Sequence, residues 1–383
     1  MLFSPMLTTY KEPRMERPIF KPIGTPTEQL DTPSLIVDVD ALEHNISTVA
    51  EFFESNAAKL RPHVESHRTP AIAHKQLAGG GHVGGIAVSS IGQAEVFVPN
   101  GFTDVFVANL VVTPQKITRL CALARQAKIG VAVDSPANVA DLSDAAVANG
   151  VCLEVVVYVN TRLGLYGVEP GRPAIDLAEA VVDAPGLDFA GIMTQEGSIL
   201  SDDPDDAATE SRSAIQPLLD TRQDLESAGI AVRVVSAGNT SNYQVVGAID
   251  GVTEVPAGTY ALLDAQHAPH LPHLKTAGRV MSTVTSRPEP GYMITDGGQK
   301  AIGADTGFPS VDNLPNPSVK GLSAEHGSIY FDASDGADPQ LGEKIWCTPW
   351  DAATCANLHD YIFAVRNDSL EAVWEVSARG RYR

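Results

Sequence analysis

CLEVVVYV, residues 152–159, is a short run of apolar and β-branched residues that reads as a buried strand. The same grammar repeats outward from it. Upstream lie SLIVD at 34–38, the stretch 60–65, GGIAVS at 84–89, DVFVA at 104–108 and 129–133; downstream lie LDFAGIM at 187–193 and AVRVVS at 231–236. Helical patterns fill the gaps. In 40–53, Leu42, Ile46, Val49 and Phe53 share one helical face behind a capping Asp40. Thr69-Pro70 and Thr113-Pro114 are cap-then-proline helix starts, and 136–149, 173–184 and 207–227 follow the same logic. Eight buried strands, each followed by a helix, predict an α/β fold with a (β/α)8 TIM-like barrel over 31–268. A doubly wound sheet is the competing arrangement.

The pattern changes near residue 270. GRVMSTVTSR, HGSIYFDA, GEKIWCTP and SLEAVWEVSARG are short strands punctuated by Gly, Pro and Asp, so 269–383 is expected to form a mostly antiparallel β domain. Residues 1–30, rich in Pro, Thr and charge, read as an extended arm.

The 383 residues carry a formal net charge of −20, with a pI near 4.8. That balance argues against nucleic acid and anionic membranes as partners and leaves a small-molecule substrate. No apolar run reaches the ~20 residues of a membrane span. The four cysteines, Cys121, Cys152, Cys347 and Cys355, form no CxxC pair, so neither a zinc clip nor a disulfide framework is indicated and a cytoplasmic location is expected. Cys347 and Cys355 read as buried apolar residues, and His359 as a packing residue.

The richest stretch for chemistry is RPHVESHRTPAIAHKQL, 61–77. On a strand over 59–65, Lys59, Arg61, His63 and Glu65 share one face. If that face looks into a barrel, His63 and Glu65 stand near the C-terminal rim, where barrel enzymes place their chemistry. The competing reading is a structural ladder of salt bridges. Glycine-bearing turns at SAGNTSN (236–242) and AGTY (257–260) offer backbone N–H groups to an anion.

Taken together with VSSIGQAEVF, AVDSPANVADLS, PAGTYALLDA, ITDGGQKAIGAD, SAEHGSI and NLHD, the 61–77 stretch resembles the D-threonine aldolase and D-serine dehydratase family, whose pattern is R-P-H-x-K-[TS]-H-K. The resemblance spans nearly the whole chain. It implies a barrel followed by a β domain, a homodimer, and pyridoxal phosphate chemistry. The family's imine-forming lysine falls on Glu65, and a carboxylate cannot form an imine. Lys59 is about 20 Å of strand away. Covalent pyridoxal phosphate is therefore not expected. Gly238, Asn239, Thr240, Gly258 and Tyr260 fall where the family holds the cofactor phosphate. Leu165 stands at an arginine position, Gln195-Glu196 at a Tyr-His pair, and Asp351-Ala352-Ala353 at a metal-binding motif.

If the barrel mouth is built as in that family, Glu65, Glu196 and Asp351 converge. Converging carboxylates either share protons or hold a cation, and a divalent metal (Mg, Mn or Zn) is expected among them. The function so implied is a metal-dependent lyase, of aldolase or dehydratase type, for a small hydroxylated acid or carbonyl compound. Glu65, His63, Glu196 and His326 are its candidate catalytic residues, with His67 a second choice for proton carrier. A catalytically silent binder of a small anion or pyridoxal vitamer, and an epimerase using paired carboxylates, are the other classes.

Overall fold

The computed structural model describes residues 21–312 and 314–383; most of the arm expected over 1–30 lies outside them. The first strand, β1 (Ser34–Asp38), leads into a helix, Val39–Glu54, capped by the Asp38 carboxylate accepting from the Ala41 N–H. The barrel then follows as β2 (Lys59–Pro62), β3 (Ile86–Val88), β4 (Asp104–Leu110), β5 (Lys128–Val133), β6 (Leu153–Tyr158), β7 (Leu187–Met193), β8 (Val234–Ser236) and β9 (Glu254–Ala257). All pair in parallel, in the order β2-β9-β8-β7-β6-β5-β4-β3. Bridges Leu60–His82 and His63–Ala87 bring β2 against β3 and close the ring.

The barrel membership of two strands differs from expectation. SLIVD at 34–38 is not a barrel strand: it lies between β10 (Gly278–Glu289) and β16 (Tyr361–Arg366) in the second sheet, antiparallel to one and parallel to the other. A strand central to any sheet is apolar on both faces, so composition cannot say which sheet owns it. The eighth barrel strand is instead β9, only four residues long and carrying Pro256, which hid it from a search for β-branched runs. The remaining strands of the second domain are β11 (Tyr292–Thr295), β12 (Ser310–Val311), β13 (Ser318–Leu322), β14 (Gly327–Tyr330), β15 (Lys344–Thr348) and β17 (Ser369–Glu375). Their pairings are antiparallel, as expected.

The barrel interior has a charged floor and an apolar middle. Arg61 pairs with Glu254 at 2.8 Å and Asp104 at 3.0 Å, and Lys128 links Asp104 to Glu154. Ala87, Phe106, Ala132, Val156, Tyr158, Ala190 and Met193 pack above them. The salt-bridge ladder weighed for this strand face is thus real at Arg61, whose guanidinium reaches Asp104 and Glu254 at the starts of β4 and β9, the end of the barrel away from the His63 and Glu65 rim. Lys59 donates to the carbonyls of Phe53 and Asn56 at that same far end. Among the described residues no helix is long and apolar enough to cross a membrane.

Candidate active site

A cavity of about 240 Å³ opens at the C-terminal rim of the barrel, lined by His63, Glu65, Ser198, Asn239, His267 and Asp351 among others. Among the described residues its charged lining is two carboxylates, with no Lys or Arg. Five chain segments build it: the turns after β2, β7, β8 and β9, and the stretch after β15 that carries Asp351.

The first segment delivers Glu65. β2 ends at Pro62, and the chain turns through Arg68, a non-glycine residue at φ 54°. That left-handed conformation is strained and is held by the Arg68 N–H on the Val64 carbonyl at 2.7 Å. Arg68, itself buried, donates to Glu65 Oε1 at 3.3 Å and to Asn357 Oδ1 at 2.9 Å. Ser89 Oγ donates to Glu65 Oε2. Both carboxylate oxygens therefore have partners inside the protein. His63 accepts the Glu65 N–H on Nδ1 at 3.4 Å, which leaves Nε2 as its N–H donor. Burial lowers the His63 pKa, with Glu65 opposing the shift, so the ring is a neutral donor. His67 is withdrawn from the cavity. Its Nδ1 accepts from the Thr69 N–H at 3.1 Å and its Nε2 meets Gln76 Oε1 at 3.0 Å. Burial pushes its pKa down to about 4, which removes it as a proton carrier.

The second segment carries a correction. Glu196 does not face Glu65 and Asp351; its side chain is 0% exposed and turns into the glycine-bearing turn after β8. There its carboxylate accepts from Gly238 N–H at 3.3 Å, Asn239 Nδ2 at 3.3 Å and Asn242 Nδ2 at 2.8 Å. Burial raises its pKa, and the Asn242 and Gly238 hydrogen bonds oppose the rise. Gly197 follows at φ 75°, and the chain swings outward to present an exposed Ser198 to the cavity. Asn239 Nδ2 on the Gly197 carbonyl (2.9 Å) and the Ile199 N–H on Ser241 Oγ (3.0 Å) pin the backbone on both sides of Ser198.

After β9, Gly258 is required by closure rather than by a ligand: a Cβ there would lie 2.0 Å from the His63 carbonyl oxygen. Tyr260 does not reach the cavity either. It is fully buried, its hydroxyl accepting from Gln76 Nε2 at 3.0 Å. Past it, Leu263 is a second strained residue at φ 50°, and it delivers Asp264 and His267. Asp264 Oδ1 meets His267 Nδ1 at 2.6 Å, and Ser198 Oγ meets His267 Nε2 at 3.3 Å. None of these three was singled out in the sequence. The one available signal was Asp264 and His267 three residues apart in ALLDAQH, a spacing that faces side chains together on a helical turn.

The expected metal ligands do not assemble. Among the described residues no three His, Cys, Asp or Glu side chains form a metal-holding group. Glu196 is in the β8 turn, Glu65 is held by Arg68 and Ser89, and Asp351 Oδ1 caps the helix Ala352–Ala356 by accepting the Thr354 N–H at 2.6 Å. Asp351 does line the cavity with Glu65. His326 is exposed in the turn between β13 and β14, away from the cavity lining. Cys347 and Cys355 are buried, as expected, and His359 donates from Nε2 to the Ala301 carbonyl at 2.7 Å.

A closed parallel barrel with its cavity at the strand ends, followed by an antiparallel β domain, defines the alanine racemase class of two-domain proteins. The chain belongs to the family described as alanine racemase, N-terminal domain, matched over residues 37–265, and residues 277–365 match the putative serine dehydratase domain. It is 33% identical to a D-threonine aldolase of Arthrobacter sp. over 93% of this chain and 95% of that protein. It is 31% identical to a 3-hydroxy-D-aspartate aldolase of Paracoccus denitrificans over 94% of each. The crystal structure of D-threonine aldolase from Filomicrobium marinum superposes with a TM-score of 0.91 at 36% identity, covering 94% of this chain and 99% of that one.

The residues present do not fit the phosphorylated cofactor that the family resemblance implies. Besides the missing lysine, the donors that would hold the phosphate are turned onto acceptors of the protein itself. Gly238 N–H and Asn239 Nδ2 serve Glu196, Asn239 N–H serves Asn242 Oδ1, and the Tyr260 N–H serves Thr240 Oγ1. Glu196 is a built-in acceptor in the place of an external anion.

Proposed function

We propose that this chain is a lyase-type enzyme that cleaves a small hydroxylated carbonyl compound without an imine to the protein. The carrying observation is the pair at the end of β2: a neutral His63 with Nε2 as its donor, beside a carboxylate, Glu65, anchored in the same cavity. The aldolase names of the relatives support the reaction class. For a substrate with a hydroxyl β to a carbonyl, Glu65 takes the hydroxyl proton and the carbon–carbon bond breaks, giving an aldehyde. The electron pair runs to the substrate's own carbonyl oxygen, which a neutral imidazole N–H can polarise. The resulting enol then takes a proton at carbon. Two carboxylates, with no lysine or arginine among the described lining residues, favour a substrate that is neutral or carries an amine. A homodimer in a reducing cytoplasm is part of the proposal, the latter in keeping with four free cysteines.

The test is product analysis on β-hydroxy ketones, keto acids and amino acids, with and without chelator, and mass spectrometry after borohydride. Aldehyde release that is insensitive to chelator, with no pyridoxyl adduct, supports the reading. Release that requires added pyridoxal phosphate sinks it, and loss in chelator returns a divalent cation to Glu65 and Asp351.

A further inference from the structure

We infer that the same cavity holds a second, independent catalytic array, Ser198–His267–Asp264, able to transfer an acyl group through Ser198. The atoms are in the order such chemistry needs. Asp264, 2% exposed, accepts three hydrogen bonds: His267 Nδ1 (2.6 Å) and the His267 backbone N–H (3.1 Å) on Oδ1, and the Ala352 N–H (3.2 Å) on Oδ2. A carboxylate acceptor at Nδ1 fixes the proton there, so Nε2 is the bare nitrogen, and it is Nε2 that meets Ser198 Oγ at 3.3 Å. His267 is 7% exposed while Ser198 is open to the cavity. That is the nucleophile, base and orienting-group relation in full, with the serine–histidine contact slightly long, as is usual before substrate binds. The backbone on both sides supports it: Gly197 takes the left-handed conformation that turns Ser198 out, and Leu263 bears strain to bring Asp264 beneath the ring. His63 and Glu65 have no part in the array, so it stands or falls apart from the lyase reading.

The ligand class is a small neutral ester or thioester, since the acidic lining opposes an anionic acyl group. Ser198 Oγ bonds to the acyl carbon as its proton passes to His267 Nε2. The bond from that carbon to the leaving group breaks, and the leaving group departs with the proton. Water, deprotonated by Nε2 in turn, releases the acid and restores the serine.

A fluorophosphonate probe, which phosphonylates an activated serine with loss of fluoride, tests the array on the full chain, with p-nitrophenyl acetate as the acyl donor. The expected result is one adduct, on the peptide bearing Ser198, absent in S198A. Labelling and the ester burst slow by roughly 100-fold or more in H267Q. In D264N the acylation rate falls while the KM for p-nitrophenyl acetate stays in place, because the ring has lost the acceptor that fixes its tautomer; a merely structural Asp264 would leave the rate unchanged. Thermal melts establish that each variant is folded, and S198A, at an exposed position, is the control least exposed to misfolding. No adduct at Ser198, equal rates in H267Q, or an unchanged acylation rate in folded D264N overturns the proposal.

Discussion

Glu196→Ala should replace an internal acceptor with a site for an external anion. The Glu196 carboxylate accepts hydrogen bonds from Gly238 N–H, Asn239 Nδ2 and Asn242 Nδ2, and its side chain is wholly buried. Removing it strands three donors, each costing about 1–3 kcal/mol if left dry. Water entering from the neighbouring cavity recovers part of that, and the carboxylate's own desolvation no longer has to be met. The expected net loss is about 3 kcal/mol, read from urea unfolding at pH 7 as a lower midpoint at unchanged slope. The vacated pocket keeps its donors, so inorganic phosphate or sulfate should restore stability in the variant. An anion at a hundred times its dissociation constant returns about 2.7 kcal/mol. The wild type, its donors already taken, should show no such gain beyond the general salting effect. E196A with wild-type stability, or with the same phosphate response as the wild type, would refute the reasoning.

Glu65→Lys alone should not generate a chromophore with pyridoxal phosphate, because Glu196 still fills the phosphate cradle; E65K with E196A should, and borohydride should trap the adduct on residue 65 by mass spectrometry. Acid should weaken the fold through His67. Its folded pKa of about 4 lies below the ordinary 6.5, so neutral burial stabilises the protein fully above pH 6.5 and that contribution drains away as pH falls toward 4. The loss is about 3 kcal/mol, and stability against pH should flatten in H67Q across that window. Arg61→Met removes the cation between buried Glu254 and the partly buried Asp104, leaving carboxylates uncompensated. A cost of about 3–5 kcal/mol should appear as a lower urea midpoint, and D104N combined with R61M should recover part of it.

The barrel and the β domain were legible because burial on both faces leaves a compositional trace: six of the runs read as barrel strands overlap β3 to β8, and 60–65 overlaps β2. What composition could not carry was ownership. Ser34–Asp38 is as apolar as any barrel strand, yet its partners are β10 and β16, a fact stored in contacts some 240 to 330 residues distant in the chain. The candidate site divides the same way. His63 and Glu65 were placed at the rim by strand period together with the barrel expectation, and they line the cavity although β2 ends at Pro62. Ser198, His267 and Asp264 come from two turns joined only by the closing of the ring, and no local pattern unites a serine with a histidine 69 residues later.

The carboxylates show why residue type was a poor guide to convergence. Three acidic side chains at three family site positions invite a common cation, since like charges brought together repel. That inference treats each carboxylate as lacking partners. In the fold each meets a different set of donors: Arg68 and Ser89 for Glu65, the Gly238 turn with Asn239 and Asn242 for Glu196, the Thr354 N–H for Asp351. A buried carboxylate needs two or three donors, and a turn or helix start supplies them locally more cheaply than a metal ordered by distant segments. Glu196 makes the point sharply, because its donors include the very amide an external phosphate would need. The substitution therefore does more than remove a histidine. On the reading proposed, Glu65 and Glu196 reinforce each other, since exchanging either one alone leaves the other set against the cofactor.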